Sequence, residues 1–185
     1  YARPLGALLD VLETLGAHIT YHGEHGHLPF TIQGPLRHHP GTITVDASAS
    51  SQFFSAMLLI APLLGGAIIR SGQELISLPH INMTLDMMRA SGITWSKLSG
   101  SEWMIEEGKP TASEIKIEAD LSNAGPFLCA GILSGGSLAI PHWPASSTQP
   151  GAMWPELFER MGIETHFVAT GSKNGTLLVH GEGPG

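Results

Sequence analysis

Two serines and a glutamine stand directly before a long apolar run. Ser50 and Ser51 are predicted to form the cap and first turn of a helix, because serine hydroxyls accept hydrogen bonds from the first backbone amides. That helix is predicted to end near Leu64, where a glycine pair follows. Helix N-termini attract anions through their amides and dipole. With Gln52, these side chains indicate an anion-binding site; the alternative is an ordinary serine cap on a core helix.

A second pair of polar residues, Ser77 and His80, lies on either side of Pro79. This pair precedes a second predicted helix, from about Asn82 to Ala90, which ends before a glycine. Two interpretations remain open for these residues. They are caps and turn residues of the second helix, or their side chains reach into a site shared with the first helix.

Five histidines lie in two loops rich in glycine and proline: His22, His25, His27, His38 and His39. Neighbouring imidazoles are possible metal ligands. No carboxylate or thiol completes a convincing tetrahedral set with them, so we expect solvated turns and no metal site.

The chain contains an internal repeat, which is the usual sign of a fold built from similar units. Ile43–Ala56 aligns with Ile117–Ala130, and both copies continue to a glycine pair. The second copy has Ala124, Gly125 and Pro126 in place of the two serines and the glutamine, so its helix start is predicted to lack polar groups. The predicted pattern is β-α-β-α-β-β, used twice, with half a unit in front. This pattern favours an α/β (α+β) fold with mixed sheets.

The elements predicted for the second copy are a strand over 115–117, a helix over 123–133, a strand over 137–140, a long turn over 141–150, a helix over 153–161, and strands over 165–168 and 176–180.

Composition limits the classes of function. Of the 185 residues, 42% are hydrophobic, which is typical of a folded domain with an ample core. The net charge of −7 argues against an extended nucleic-acid surface. No signal peptide is visible and no apolar run is long enough to span a bilayer. Cys129 is the single cysteine; it lies in an apolar run and is expected to be a buried hydrophobe in a reducing cytoplasm.

Four passages resemble the 5-enolpyruvylshikimate-3-phosphate synthase family, whose members are 3-phosphoshikimate 1-carboxyvinyltransferases. They are Arg3–Leu5, Val45–Phe53, Ser77–Leu85 and Asp120–Phe127. The resemblance implies an inside-out barrel of β-α-β-α-β-β units, with helices inside and sheets outside. It also implies two partial domains. Residues 1–117 would end the first domain with one and a half units, and residues 118–185 would form the first unit of the second.

The resemblance further implies transfer of the enolpyruvyl group from phosphoenolpyruvate to the 5-hydroxyl of shikimate 3-phosphate, with release of phosphate. By matching motif, the shikimate 3-phosphate ligands are expected to be Ser50, Ser51, Gln52, Ser77 and His80. Ser77 would hold the 3-phosphate. His80 stands where many relatives have tyrosine.

For phosphoenolpyruvate, the resemblance implies Arg3 and Gln52 as ligands, since an arginine pairs with carboxylate or phosphate through two hydrogen bonds. The family's acidic and basic catalytic residues have no counterpart in this stretch. We therefore expect no catalytic residue, no metal and no cofactor here. The remainder of its own full-length chain is the expected partner, and the chain alone is expected to be inactive.

Two other functions remain as alternatives. One is the enolpyruvyl transferase acting on UDP-N-acetylglucosamine, which shares the fold but lacks the Ser-Ser-Gln helix start. The other is a non-catalytic α/β binding or scaffold module in which the serines only cap helices.

Overall fold

The computed structural model describes residues 4–48, 50–73, 75, 77–111, 114–115 and 117–183. The chain divides into two compact units, residues 1–113 and residues 114–185. The predicted domain boundary after residue 117 stays a prediction.

The first unit contains three helices and six strands among its described residues. In chain order they are α1 (Gly6–Thr14), β1 (His18–Tyr21), β2 (Phe30–Gln33), β3 (Thr42–Val45), α2 (Ser51–Ile60), β4 (Ala67–Ser71), α3 (Leu78–Ala90), β5 (Trp95–Ser99) and β6 (Glu102–Ile105). Strands β1 and β2 form an antiparallel pair. Helix α2 continues as a 3-10 turn over Ala61–Leu64 and stops at Gly65, which has a left-handed φ of 97°. This end matches the predicted stop near Leu64.

The main sheet of the first unit sets the direction of its two long helices. Its strand order is β3-β4-β6-β5. Strand β3 is parallel to β4, and β6 is antiparallel to both β4 and β5, so β3, β4 and β5 share one direction. Helix α2 connects β3 to β4 and α3 connects β4 to β5, so each helix must run back against the strands. The two helices are therefore parallel, and both begin at the carboxyl ends of β3 and β4.

Apolar side chains at helical spacing attach these helices to the sheet. Helix α2 buries Phe53, Phe54, Met57 and Leu58 in one core cluster with Ile69, Trp103 and Ile105 of the sheet. The Phe54 ring meets the Trp103 ring edge-on, with 5.4 Å between centroids. Burial of each such side chain contributes about 1.5–3 kcal/mol.

The second unit contains α4 (Leu121–Leu133), β7 (Ser137–Pro144), α5 (Trp154–Arg160), β8 (Thr165–Ala169) and β9 (Asn174–His180). A 3-10 turn over Pro150–Met153 leads into α5. The sheet order is β7-β9-β8, antiparallel throughout. Cys129 packs against the core of this unit but is only partly buried, which is less than the apolar run predicted.

One strand prediction for the second unit was wrong, and a second strand was predicted correctly except for its end. The described residues of the predicted strand over 115–117 are not in a strand, and Ile115 and Ile117 are 56% and 81% exposed. Because neither isoleucine side chain is buried, hydrophobic burial of these two residues does not stabilise pairing of this segment with a sheet edge. The strand predicted to end at Ile140 continues to Pro144, because β9 pairs with it beyond an irregularity near His142, whose φ is 61°.

Helix α4 starts at Leu121, earlier than the predicted Asn123, and Gly125 lies within it. A Cβ at Gly125 would lie 2.2 Å from Cζ2 of Trp154, so only glycine fits at this contact. We expect Gly125→Ala to lower the free energy of unfolding by about 1–3 kcal/mol, the range for overpacked cores. Urea denaturation measures this. The control is Gly100→Ala, where a Cβ meets nothing within 4 Å; an equal loss in both variants would contradict the packing explanation.

Candidate anion-binding site at two helix N-termini

The N-terminus of α2 has the predicted serine cap. Ser50 has an extended conformation (φ −166°, ψ 128°), and its hydroxyl accepts a hydrogen bond from the Gln52 amide at 3.1 Å. The Ser50 carbonyl accepts from the Phe53 amide at 3.3 Å. Two of the first amides are therefore already bonded within the protein. An anion at this helix start would be bound mainly by side chains, and the Ser50 O–H is still able to donate.

The side chains at this helix start are open to solvent. Gln52 is exposed, and Ser50 and Ser51 are partly buried. The turn before them is held by Asp46, whose carboxylate accepts from the Ser48 amide at 2.9 Å. Hydrogen bonds from the side chain and the backbone of Ser48 hold the pKa of the Asp46 carboxyl below its usual value. The stabilisation from this turn is therefore present above the unfolded-state pKa of Asp46 and is lost as the pH falls through the lower folded-state pKa.

The N-terminus of α3 differs from the prediction, because the helix begins at Leu78 and not near Asn82. Pro79 fits this first turn, where a missing N–H costs nothing. Ser77 occupies the cap position, but its hydroxyl makes no capping bond. Instead, Ser77 Oγ lies 2.6 Å from Nδ1 of His80. The Ser77 hydroxyl is therefore oriented by the exposed His80 imidazole and does not cap the N-terminus of α3.

A contact between the two helices places their N-termini side by side. The Thr84 hydroxyl lies 3.0 Å from Ser55 Oγ on α2 and 3.0 Å from the carbonyl of His80 in its own helix. Ser55 follows Ser51 by one helical turn, and Thr84 follows His80 by one turn. Because the helices are parallel, Ser51 and His80 both lie about 6 Å along the axis on the same side of this contact. The structure therefore brings the two predicted groups to one end of the sheet.

Sequence reasoning missed Ser55 and Thr84. A signal was present, because each is a small polar residue one helical turn after a candidate ligand. Small hydroxyl residues at such positions are suited to close helix contact. Arg3, the predicted phosphoenolpyruvate ligand, lies outside the described residues, so its placement stays a prediction.

The N-terminus of α4, in the second unit, is filled by the protein's own groups. Asp120 caps it by accepting from the Asn123 amide at 3.0 Å. Gln149 Oε1 accepts from the Leu121 amide at 3.0 Å, and Trp154 Nε1 donates to the Leu121 carbonyl at 3.0 Å. The expectation of a helix start without polar groups was wrong. The caps of α2 and α4 are Ser50 and Asp120, which are 70 residues apart, whereas the sequence alignment of Ile43 with Ile117 used an offset of 74 residues. The two helix starts differ in how their amides are bonded: at α4 the Leu121 and Asn123 amides are bonded to side chains of Gln149 and Asp120, whereas at α2 a side chain, that of Ser50, bonds the Gln52 amide alone.

Within the described residues, no helix combines the length and apolar character that a membrane crossing requires. Comparison with known families matches residues 1–180 to the family described as EPSP synthase (3-phosphoshikimate 1-carboxyvinyltransferase). A curated 3-phosphoshikimate 1-carboxyvinyltransferase from Bifidobacterium longum (strain DJO10A) is 44% identical over 177 residues, covering 92% of this chain. One from Kocuria rhizophila is 38% identical over 165 residues and covers 88% of the chain. The chain spans 40% and 37% of the lengths of these relatives.

Solved structures show the same mixed α/β fold. EPSP synthase from Acinetobacter baumannii superimposes with a TM-score of 0.70 at 21% identity, covering 98% of this chain and 40% of that one. The enolpyruvyl transferase NikO from Streptomyces tendae gives a TM-score of 0.68 at 20% identity, covering 97% and 42%. At these identities the structures establish the fold alone. The family match over nearly the whole chain carries the assignment, and the chain therefore belongs to the EPSP synthase (3-phosphoshikimate 1-carboxyvinyltransferase) family.

Proposed function

We propose that this chain is the shikimate 3-phosphate-binding part of an enzyme that transfers enolpyruvyl from phosphoenolpyruvate to the 5-hydroxyl of shikimate 3-phosphate and releases phosphate. The observation that carries the proposal is the pair of parallel helix N-termini, at which hydroxyl, carboxamide and imidazole groups gather at one end of a sheet. Neutral hydrogen-bond donors at a helix N-terminus favour phosphate binding and add no permanent charge to the site. The names of the curated relatives support the same reaction.

Each side chain has a definite part in this proposal. The hydroxyls of Ser50 and Ser51 and the carboxamide of Gln52 donate hydrogen bonds to shikimate 3-phosphate, and Gln52 also reaches phosphoenolpyruvate. Ser77 donates to the 3-phosphate. His80 orients Ser77 across their 2.6 Å contact. With its proton on Nδ1, the imidazole donates to Ser77 Oγ and leaves the serine O–H free to bind phosphate.

The chemical step is assigned to residues outside this chain. We propose that the remainder of the full-length chain supplies the general acid and base, and that Arg3 binds phosphoenolpyruvate. The two units would be parts of the two domains of an inside-out barrel, divided near residue 117. We place the enzyme in the cytoplasm, where a single free cysteine stays reduced.

Phosphate release tests this proposal. We expect the full-length protein to release phosphate only when shikimate 3-phosphate and phosphoenolpyruvate are both present, and the 185-residue chain alone to release none above a blank. The matched control replaces shikimate 3-phosphate by UDP-N-acetylglucosamine. Release with that acceptor alone would establish the alternative transferase. Release by the isolated chain would show that catalytic groups lie within it.

A further inference from the structure

Three exposed side chains of types that can bind a metal lie together in the first unit, and none of them is among the proposed substrate ligands. Asp10 and Glu13 lie on α1, and His25 lies in the loop between β1 and β2. Each offers one ligand atom, and these three atoms all lie within 4.8 Å of one another. This arrangement brings two carboxylates of α1 to a histidine loop whose own carboxylate, Glu24, is not one of the three groups.

The backbone holds the two sides of this cluster together. Asp10 and Glu13 are three residues apart on a helix, so their side chains share one face. The amide of Leu5 donates to the carbonyl of Gly26 at 2.8 Å, which ties the histidine loop to the start of α1. Gly26 has a φ of 76°, and a Cβ there would lie 3.2 Å from Cα of Gly6. Glycine at both positions permits this close approach, so the position of His25 is set by backbone contacts.

Tyr21 packs beside this cluster and has a hydroxyl without a hydrogen-bond partner among the described residues. Its ring lies against the His25 ring, with 4.3 Å between centroids. Its hydroxyl oxygen is shielded from solvent and has no hydrogen-bond partner among the described residues. Burial raises the pKa of the Tyr21 phenol, and the negative charges of Glu13 and Asp10 raise it further. The charges of both carboxylates thus raise the pKa of Tyr21, although its hydroxyl is hydrogen-bonded to neither of them.

The two carboxylates also have no basic partner in the part of the chain that the structure describes. The ion pairs there are His27–Glu24, Arg70–Glu102 and His166–Glu164. Both carboxylates are exposed, and a cation bound between them would offset their mutual repulsion. An open cleft of about 570 Å³, lined in part by Asp10 and His25, leads to the cluster from solvent.

We propose that Asp10, Glu13 and His25 bind a divalent first-row transition metal ion, of which Zn²⁺ is the representative. Two carboxylate oxygens and one imidazole nitrogen supply three ligands, and water completes the shell. The imidazole favours Zn²⁺ over Mg²⁺ and Ca²⁺, which prefer all-oxygen shells. A metal-bound water would give the Tyr21 hydroxyl the partner that it lacks. The ion links α1 to the β1–β2 loop and takes no part in the transfer reaction.

Calorimetric titration of the metal-free, full-length protein with Zn²⁺ tests this site. We expect wild type to bind one more Zn²⁺ ion than His25→Ala, or to bind that ion at least tenfold more tightly. Glu13→Gln should show the same loss with little change in shape. The matched control is His27→Ala, which removes a histidine from the same loop but not from the cluster, and it should titrate like wild type.

A thermal unfolding measurement complements the titration. Zn²⁺ should raise the Tm of wild type and of His27→Ala by more than it raises the Tm of Glu13→Gln. Equal stoichiometry, affinity and Tm shift in all four proteins would overturn the proposed site. Binding of Mg²⁺ at this site as tight as that of Zn²⁺ would overturn the choice of metal class. Neither outcome depends on whether the protein transfers enolpyruvyl groups.

Discussion

Replacing Gln52 by alanine should weaken binding of shikimate 3-phosphate to the full-length protein by about 10- to 100-fold. The Gln52 carboxamide is exposed, while its backbone amide is bonded to Ser50, so the side chain is the group left to meet a ligand. A hydrogen bond to a charged group contributes about 1.5–3 kcal/mol, and each 1.4 kcal/mol is a factor of about ten in affinity. Equilibrium titration with shikimate 3-phosphate measures the change.

The matched control for this prediction is Ser122→Ala in the first turn of α4. Ser122 is exposed at a helix start that the protein closes with Asp120 and Gln149, so its removal should leave the affinity unchanged. Ser51→Ala should weaken binding as Gln52→Ala does. Both α2 variants should unfold at nearly the wild-type denaturant concentration, because surface changes usually alter stability by about 0.5 kcal/mol or less. Wild-type affinity in both α2 variants would favour the scaffold interpretation.

Replacing Phe54 by alanine should lower the free energy of unfolding by about 3–5 kcal/mol, the range for a buried phenylalanine. The Phe54 side chain is 0% exposed and lies edge-on to Trp103, which is 1% exposed. Removing the ring leaves a cavity between α2 and the sheet. Since α2 carries half of the candidate site, the cavity also weakens the support of Ser51 and Gln52. Urea denaturation at 25 °C measures the loss.

The control for Phe54 is Leu98→Ala on strand β5. Leu98 is 52% exposed, so its truncation removes little buried area and should cost less than about 1 kcal/mol. An equal loss for the two variants would mean that the α2–sheet interface is not the main source of stability in the first unit. A loss of about 1 kcal/mol or less for Phe54→Ala would contradict the packing described for this core.

Local signals predicted the elements whose ends are decided locally. Helix α2 begins after Ser50 and its 3-10 extension stops at Gly65, as expected, because a serine cap and a left-handed glycine act within one helical turn. The end of α3 at Ala90 also agrees with the prediction, and Leu85 and Met88, three residues apart, lie on its buried face. The assignments of Ser50, Ser51 and Gln52 to substrate stay predictions, although their position at an accessible helix start agrees with them.

Other elements depended on partners distant in sequence. The extension of β7 to Pro144 follows from pairing with β9, about thirty residues later, and no local pattern showed it. Helix α4 starts at Leu121 because Asp120 and Gln149 satisfy its first amides, and Gln149 reaches it from a distant turn. The predicted start of α3 near Asn82 missed its first turn, in which Pro79 is accommodated because proline fits the start of a helix.

The order of most strands and helices, the cap of α2 and the family were determined by the amino-acid sequence, because these depend on residue types within a few positions of one another or on motifs in order. The tertiary structure decided which groups meet. Parallel α2 and α3, joined by Ser55 and Thr84, place Ser51 and His80 at one end of the sheet. The docking of a glycine loop on α1 brings His25 to two carboxylates. These groupings depend on strand direction and on close backbone contact between segments that are distant in sequence. No single stretch of sequence predicts them.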